Sequence, residues 1–271
     1  KMDVAMRLPQ PLDFVRDTYE RLSQDMAWFG CERVIDVSCW FGQITRQVLQ
    51  PLCESRHAHI VAIDRAPEAI ELAQLRFPHR DIDYRAADIS TRQSTPSDLY
   101  NSFTKAFHFG SPLRTQEQYC ALDVVPWLLA DGAECIFLIP LNCCVFPVIT
   151  KLAVCDTWKG YMLEHDHLIP CQYSWQDPLR TFQSKSEKNG LRVKTVETMP
   201  TSVTFQSRAE FKDYLRLTIP FVTRIPAEKR PQFLDNAFDL AIRSGAFDEK
   251  DGTVVHEMNF LAGLCKKVRD V

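Results

Sequence analysis

The chain has 271 residues, 45% hydrophobic and 25% charged, with a formal net charge of -3. This is an ordinary globular composition, long enough to bury a sizeable core, and its charge balance argues against a nucleic-acid partner. No apolar run approaches the ~20 residues of a membrane span, because the longest, 135–148, is broken by Pro140, Asn142 and Pro147; the first residues carry no apolar signal core either.

Taken in chain order, 13–26 has the apolar spacing of a helix, with Phe14, Val15, Leu22 and Met26. Residues 33–37 form a short β-branched run and predict a buried strand. Helical spacing returns over 42–52 through Ile44, Val48, Leu49 and Leu52. A second buried strand follows at 60–64, and Pro67 then stands at the start of a helix that ends before Pro78, a position where its fixed φ is tolerated. Strands are expected at 82–87, 102–109 and 134–140, with a helix over 117–130 that contains Pro126 and is closed by Asp131-Gly132.

The second half reads differently. Residues 156–178 mix aromatic and charged side chains without a clean βα unit. Beyond them, helices are expected at 182–188, 210–217 and 228–243, and strands at 191–205 and 253–265, the last antiparallel. Short buried strands alternating with helices predict an α/β fold: a Rossmann-like, doubly wound, mostly parallel sheet with an antiparallel last strand and an added C-terminal helical region. The expected organisation is a single domain over 1–271, with a first half (1–140) and a second half (141–271) that places helices before the last strand. The ten cysteines show no CxxC pair and no metal-ligand spacing. Free thiols in a reducing, cytoplasmic setting are expected, with no metal.

The chemistry-bearing residues gather where the first strands end. Strand 33–37 leads into Asp36-Val37-Ser38-Cys39-Trp40-Phe41-Gly42 and a helix, and Asp64 closes the second strand about 20 residues further on. This is the arrangement of loop, helix N-terminus and acidic residue in which a carboxylate accepts from ribose hydroxyls. Asp88 closes the third strand. Each carboxylate also has a plain structural reading: Asp36 satisfying nearby amides, Asp64 capping the helix at Pro67, and Asp88 shaping a turn.

With Val34-Ile35-Asp36-Val37, Ile63-Asp64, Asp88-Ile89 and Asp156-Thr157-Trp158, the chain resembles the class I S-adenosylmethionine-dependent methyltransferases. Its C-terminal run Pro220-Phe221-Val222-Thr223-Arg224-Ile225-Pro226-Ala227, followed by Gln232-Phe233-Leu234-Asp235, is similar to one branch of them, the insect-type juvenile hormone acid O-methyltransferases. The resemblance implies S-adenosylmethionine as cofactor, held by Asp36, Ser38, Trp40, Gly42, Asp64, Arg65, Asp88 and Ile89. The family's loop is glycine-rich because backbone approaches the methionine moiety. Here Ser38 and Trp40 stand where the family has glycines, and only Gly42 remains. An indole at that place either occludes the site or swings out and leaves room.

The resemblance further implies a small apolar carboxylic acid as acceptor, of the juvenile hormone acid or farnesoic acid type. Such an acid is already ionised near pH 7, so the protein's task is to align it in a dry chamber with one or two donors at its base. Phe146, Ile149, Trp158, Tyr161 and Phe221 are candidates for the chamber wall. The family places a glutamine in the N-terminal segment and a tryptophan after the fourth strand. Gln10 stands in the region of the first, whereas Phe109-Gly110-Ser111-Pro112-Leu113-Arg114 replaces the second. Arg114, which is able to grip a carboxylate with two hydrogen bonds, and His108 at the strand end complete the catalytic candidates. Two other readings stay open: a non-catalytic relative that keeps the fold and binds an apolar ligand or a protein partner, and a methyltransferase with a changed acceptor.

Overall fold

The computed structural model describes residues 9, 11–110, 120–143, 145–165, 169–244 and 247–268. Its strands are β1 (Arg33–Val37), β2 (His59–Asp64), β3 (Ile82–Ala86), β4 (Phe103–Phe109), β5 (Leu129–Pro140), β6 (Leu191–Phe205), β7 (Phe247–Lys250) and β8 (Thr253–Lys267). They form one sheet in the order β3-β2-β1-β4-β5-β8-β6, with β7 also paired to β8. Strands β1 to β5 pair in parallel, while β8 runs antiparallel between β5 and β6. Parallel strands buried on both faces need continuous apolar runs, and Val34-Ile35 and Ile60-Val61-Ala62-Ile63 supply them.

The described helices are α1 (Leu12–Ser23), α2 (Gln50–Glu54), α3 (Pro67–Arg76), α4 (Ala121–Leu128), α5 (Val145–Ala153), α6 (Pro178–Lys188), α7 (Arg208–Thr218) and α8 (Arg230–Arg243). Side chains of α1, α2, α3, α5, α7 and α8 share one core with Val34, Ile60, Phe107, Ile136 and Phe260. Those of α4 and α6 share the other with Ile35, Val61, Phe137 and Leu261. Alternate residues of one strand thus feed opposite layers. At β8 the layers meet closely: a Cβ on Gly263 would lie 2.3 Å from Phe182 Cζ, so only glycine lets the α6 ring settle on the strand.

Several element boundaries differ from expectation. Helix α4 ends at Leu128, and Asp131-Gly132 lies inside β5 rather than closing a helix. The pairing with β4 jumps from Phe103↔Leu129 to Lys105↔Glu134, so the turn-like residues are absorbed as a strand irregularity. The helix expected over 42–52 contains a π-helical turn, Thr45–Leu49, before α2. Helix α6 begins at Pro178, earlier than the apolar spacing indicates, because Asp177 caps it by accepting from the Arg180 amide. Strand β7 gave no sequence signal. No described helix is long and apolar enough to cross a membrane.

The edge of the sheet opposite the strands' carboxyl ends carries a buried ionic network. Lys105, on β4, is 2% exposed and lies 3.5 Å from Glu134 and 3.8 Å from Glu32. Glu134 also accepts from Lys194 Nζ at 2.9 Å and from the Ala27 amide at 2.7 Å, and Glu32 accepts from the Phe29 amide at 2.8 Å. The network fastens the chain between α1 and β1 to the sheet. Burial raises the Glu134 carboxyl, but the bonds from Lys194 and Ala27 and the charge of Lys105 outweigh it, leaving the group below its ordinary 4.5. A depressed folded-state value gives stability that is present above pH 4.5 and lost as pH falls through the folded value.

Replacing Lys105 by Met leaves two buried carboxylates without their shared cation, and we expect a loss of about 3–5 kcal/mol in urea unfolding. In Glu134→Gln, the acid-side fall in stability should be shallower than in the parent protein. An unchanged slope would remove Glu134 from the account.

Candidate functional site

Strand β1 ends at Val37, and the chain turns sharply over β2. The Cys39 amide donates to the Ile63 carbonyl at 2.9 Å, and the Gly42 amide to the Cys39 carbonyl at 3.0 Å. Ser38 and Trp40 have φ of 68° and 53°, left-handed values that cost a residue with a side chain roughly 1 kcal/mol or more. Gly42 follows at φ 78°. A Cβ there would lie 2.8 Å from Tyr84 Cε1 and 2.9 Å from Ala73 Cβ, so α3 and β3 close directly onto its backbone. Tyr84 donates to the Phe77 carbonyl at 3.2 Å and reaches the Gly42 carbonyl at 3.4 Å. The sequence reading overlooked Tyr84 because it shows only as one apolar residue of a strand.

Asp64, at the end of β2, is buried and holds this loop. Its Oδ2 accepts from the Trp40 amide at 2.9 Å and its Oδ1 from the Ala66 amide at 2.9 Å. It is not the cap of α3; Ala66 occupies that position and makes no side-chain cap. The indole of Trp40 is half-buried and lies on Phe41, with centroids 4.2 Å apart and planes at 27°. The two rings join an apolar patch with Ala69 and Leu72 of α3 and Leu217 of α7.

Asp36 lies one layer beneath. It is 4% exposed, and its Oδ2 accepts from the Thr45 hydroxyl at 2.6 Å. Tyr19 reaches the same region from α1, its ring 5.0 Å from Phe107. Among the described residues the Tyr19 hydroxyl is buried with no hydrogen-bond partner. Burial, and then the Asp36 charge, push this phenol well above its usual value. Val15, Tyr19 and Leu22 mark the inward face of α1. Tyrosine at the middle of that i, i+4, i+7 stripe was the available signal for a polar group aimed at the site.

The other candidates line the same edge of the sheet. Asp88 follows β3 and accepts from the Ser90 amide at 2.9 Å. Bonds from the Ser90 hydroxyl and amide, with the charge of Arg65, hold its carboxyl below the usual range despite partial burial. Ile89 is buried among Val37, Ile63 and Ala87. His108 is 4% exposed at the end of β4, with Nδ1 3.3 Å from the Val37 carbonyl and its ring edge-on to Phe137. A Cβ on Gly110 would lie 3.6 Å from His108 Nε2, which places that nitrogen at the carboxyl edge of the strand. Gln10 and Arg114 lie outside the described residues. No group of three or more described His, Cys, Asp or Glu side chains is arranged to hold a metal ion.

The expected chamber residues separate into two kinds. Trp158 is 1% exposed, donates to Asn236 Oδ1 at 3.0 Å and meets Phe233 edge-on at 5.2 Å. Its N–H is thus committed to pinning the segment after α5 onto α8. Tyr161 stands beside it, with centroids 6.5 Å apart. Ile149 and Phe221 are fully enclosed, while Phe146 packs on Tyr173 at 4.6 Å. Tyr214 of α7 comes within 3.8 Å of the Cys143 sulfur just beyond β5. Tyr173 and Tyr214 bring polar atoms among these largely apolar side chains.

No family model matches the chain. Juvenile hormone acid O-methyltransferase of Drosophila melanogaster is 23% identical over 228 residues, covering 82% of this chain and 76% of that protein. A putative methyltransferase from Bacillus halodurans superimposes with a TM-score of 0.55 at 13% identity, covering 92% of this chain and 98% of that one. A putative sarcosine dimethylglycine methyltransferase from Galdieria sulphuraria gives 0.50 at 12%, covering 97% and 92%. The [4+2]-cyclase SpnF gives 0.51 at 14%, covering 94% and 82%. The chain has the Rossmann-like fold of the class I methyltransferases, and a cyclase on the same fold is a reminder that fold alone does not set chemistry.

The tight seat of Gly42 gives a direct check. Gly42→Ala should cost about 2–4 kcal/mol in denaturant unfolding, from a left-handed φ and a methyl pressed onto Tyr84 and Ala73. A loss below about 0.5 kcal/mol would mean that the loop does not follow this path.

Proposed function

We propose that this protein is an S-adenosylmethionine-dependent methyltransferase whose acceptor is a small apolar carboxylic acid, of the juvenile hormone acid or farnesoic acid type. One observation carries the reading. Ser38 and Trp40 hold the left-handed backbone that glycines would adopt without strain, and Asp64 secures it through the Trp40 amide. A strained path kept in the absence of glycine is the pattern of a functional constraint.

The residues present fit the cofactor. Asp64, at the end of β2, would face the ribose hydroxyls from the position where a carboxylate accepts from them. Arg65, Asp88 and Ile89 would form the adenine side, and the backbone at Ser38, Trp40 and Gly42 the methionine side. Asp36 places a buried negative charge beneath the loop, which favours a cationic ligand. Bound there, S-adenosylmethionine would supply an electrophilic methyl group on a sulfonium. The indole lies on Phe41 in the patch with Ala69, Leu72 and Leu217, and the reading requires that it leave the cofactor's slot open. In this reading, 1–140 forms the cofactor half and 141–271 the acceptor half.

An acid acceptor asks little of the protein's bases. The carboxylate is already the nucleophile at neutral pH, so the chain has only to orient it and exclude water. His108, with Nδ1 on the Val37 carbonyl, acts as a positioning residue at the floor. Gln10 and Arg114 are proposed as carboxylate donors. The name of the fly relative supports this acceptor class, as do the enclosed aromatic side chains of the second half.

Incubation with S-adenosylmethionine and a panel of farnesoic-type and short-chain acids should yield methyl esters, detected by mass spectrometry, preferentially from the longer apolar acids. Asp64→Asn should lower turnover at least tenfold. Ester formation from none of the acids would remove the acceptor assignment. The double substitution Ser38→Gly with Trp40→Gly should leave cofactor affinity within a few-fold of the parent; a rise of tenfold or more would mean that the indole blocks the site.

A further inference from the structure

Beneath the loop that leaves β1, the buried polar side chains of Tyr19, Asp36 and Thr45 gather in one layer. Val34 joins the same core as Tyr19 and Phe107, whereas Ile35 and Val37 join the other. Side chains alternate along a strand, so Asp36 shares the face of Val34 and turns toward α1. In the parallel pairing of β1 with β4, Asp36 stands opposite Phe107. The Tyr19 ring sits edge-on to that same Phe107, with centroids 5.0 Å apart. Helix α1 also packs on the π-helical turn Thr45–Leu49, from which Thr45 donates to Asp36 Oδ2 at 2.6 Å. A helix, two strands and a turn thus converge on one carboxylate.

The two hydroxyls beside it are unequally satisfied. That of Thr45 is bonded to Asp36, while that of Tyr19 is buried with no hydrogen-bond partner among the described residues. Buried polar groups are nearly always paired, and an unpaired donor is a standing cost that calls for a reason. Val15 and Leu22 supply the apolar contacts of this helix face, so a purely apolar ring at 19 would fill the stripe without that cost. Burial and the Asp36 charge keep the phenol protonated, which makes it a donor. The π turn that carries Thr45 is a rare form of helix found disproportionately at functional sites.

We propose that Tyr19 is a positioning residue for the cofactor: its hydroxyl, with that of Thr45, holds the Asp36 carboxylate from below so that its charge meets the ammonium of the ligand's amino-acid end. Tyr19 acts through Asp36 and does not touch the ligand. A hydroxyl bond to a carboxylate fixes its direction and favours the ionised form. The role deepens the methyltransferase reading and rests on it. It concerns the methionine portion alone, since the adenosine portion is assigned to Asp64, Arg65, Asp88 and Ile89.

The test is calorimetric titration of the full chain with two probes: S-adenosylhomocysteine, which carries the amino-acid end, and 5′-methylthioadenosine, which lacks it. Tyr19→Phe removes only the hydroxyl, so Tm should stay within about 2 °C of the parent. It should weaken S-adenosylhomocysteine about five- to tenfold and leave methylthioadenosine within roughly twofold. Thr45→Val, tested separately, should give the same split. In an Asp36→Asn background, Tyr19→Phe should have no further effect on S-adenosylhomocysteine. The proposal is overturned if both variants bind the probes as the parent does, if they lose both probes alike, or if the Tyr19→Phe loss persists in full beside Asp36→Asn. A parent that binds neither probe would instead overturn the cofactor reading itself, and the role of Tyr19 with it.

Discussion

The carboxylate of Asp64 is the point from which the site is built. It accepts the amide of Trp40 with one oxygen and that of Ala66 with the other. The first bond anchors the loop leaving β1; the second sets the chain entering α3. Both are charge-assisted and made by a buried group, which places them among the stronger hydrogen bonds a protein makes. They join the backbone bonds at Cys39 and Gly42 in offsetting the strain of the left-handed backbone at Ser38 and Trp40. The loop's shape is thus tied to the neighbouring strand through backbone and side chain together, and the close seat of Gly42 against Ala73 and Tyr84 completes it.

The rest of the architecture keeps that side chain in place. Parallel pairing of β2 with β1 and β3 aligns the strand ends, so Asp36, Asp64 and Asp88 emerge along one edge of the sheet. At the opposite edge, Lys105 with Glu32, Glu134 and Lys194 ties the chain after α1 to the sheet. This in turn fixes α1, whose Tyr19 reaches toward Asp36. A buried ionic cluster contributes less through net energy than through the cost of disrupting it. Its location away from the loop leaves the site edge free to vary in chemistry while the frame holds.

Much of this was legible in the sequence, for definable reasons. Val34-Ile35 and Ile60-Val61-Ala62-Ile63 are β-branched runs of a kind that a buried parallel strand requires, and the acidic residues closing each strand located the site edge. Other features were hidden because they depend on distant contacts. A left-handed serine and tryptophan cannot be read from residue type, since few non-glycine residues adopt that conformation. Asp131-Gly132 looked like a helix stop, yet the pairing of β5 with β4 absorbs it. The bond from the Trp158 indole N–H to Asn236, far along the chain, had no local signal. Tyr19 escaped notice because a tyrosine on an apolar helix face resembles any core aromatic until its hydroxyl is found without a partner among the described residues.

The functional account depends on the edge of β1 and β2 admitting a sulfonium nucleoside although an indole stands in its loop. Calorimetric titration of the unmodified chain with S-adenosylhomocysteine tests this without reference to any acceptor. The account predicts saturable binding at micromolar to sub-millimolar strength, about -5 to -8 kcal/mol. No heat of binding, and no thermal shift at millimolar ligand, would contradict it.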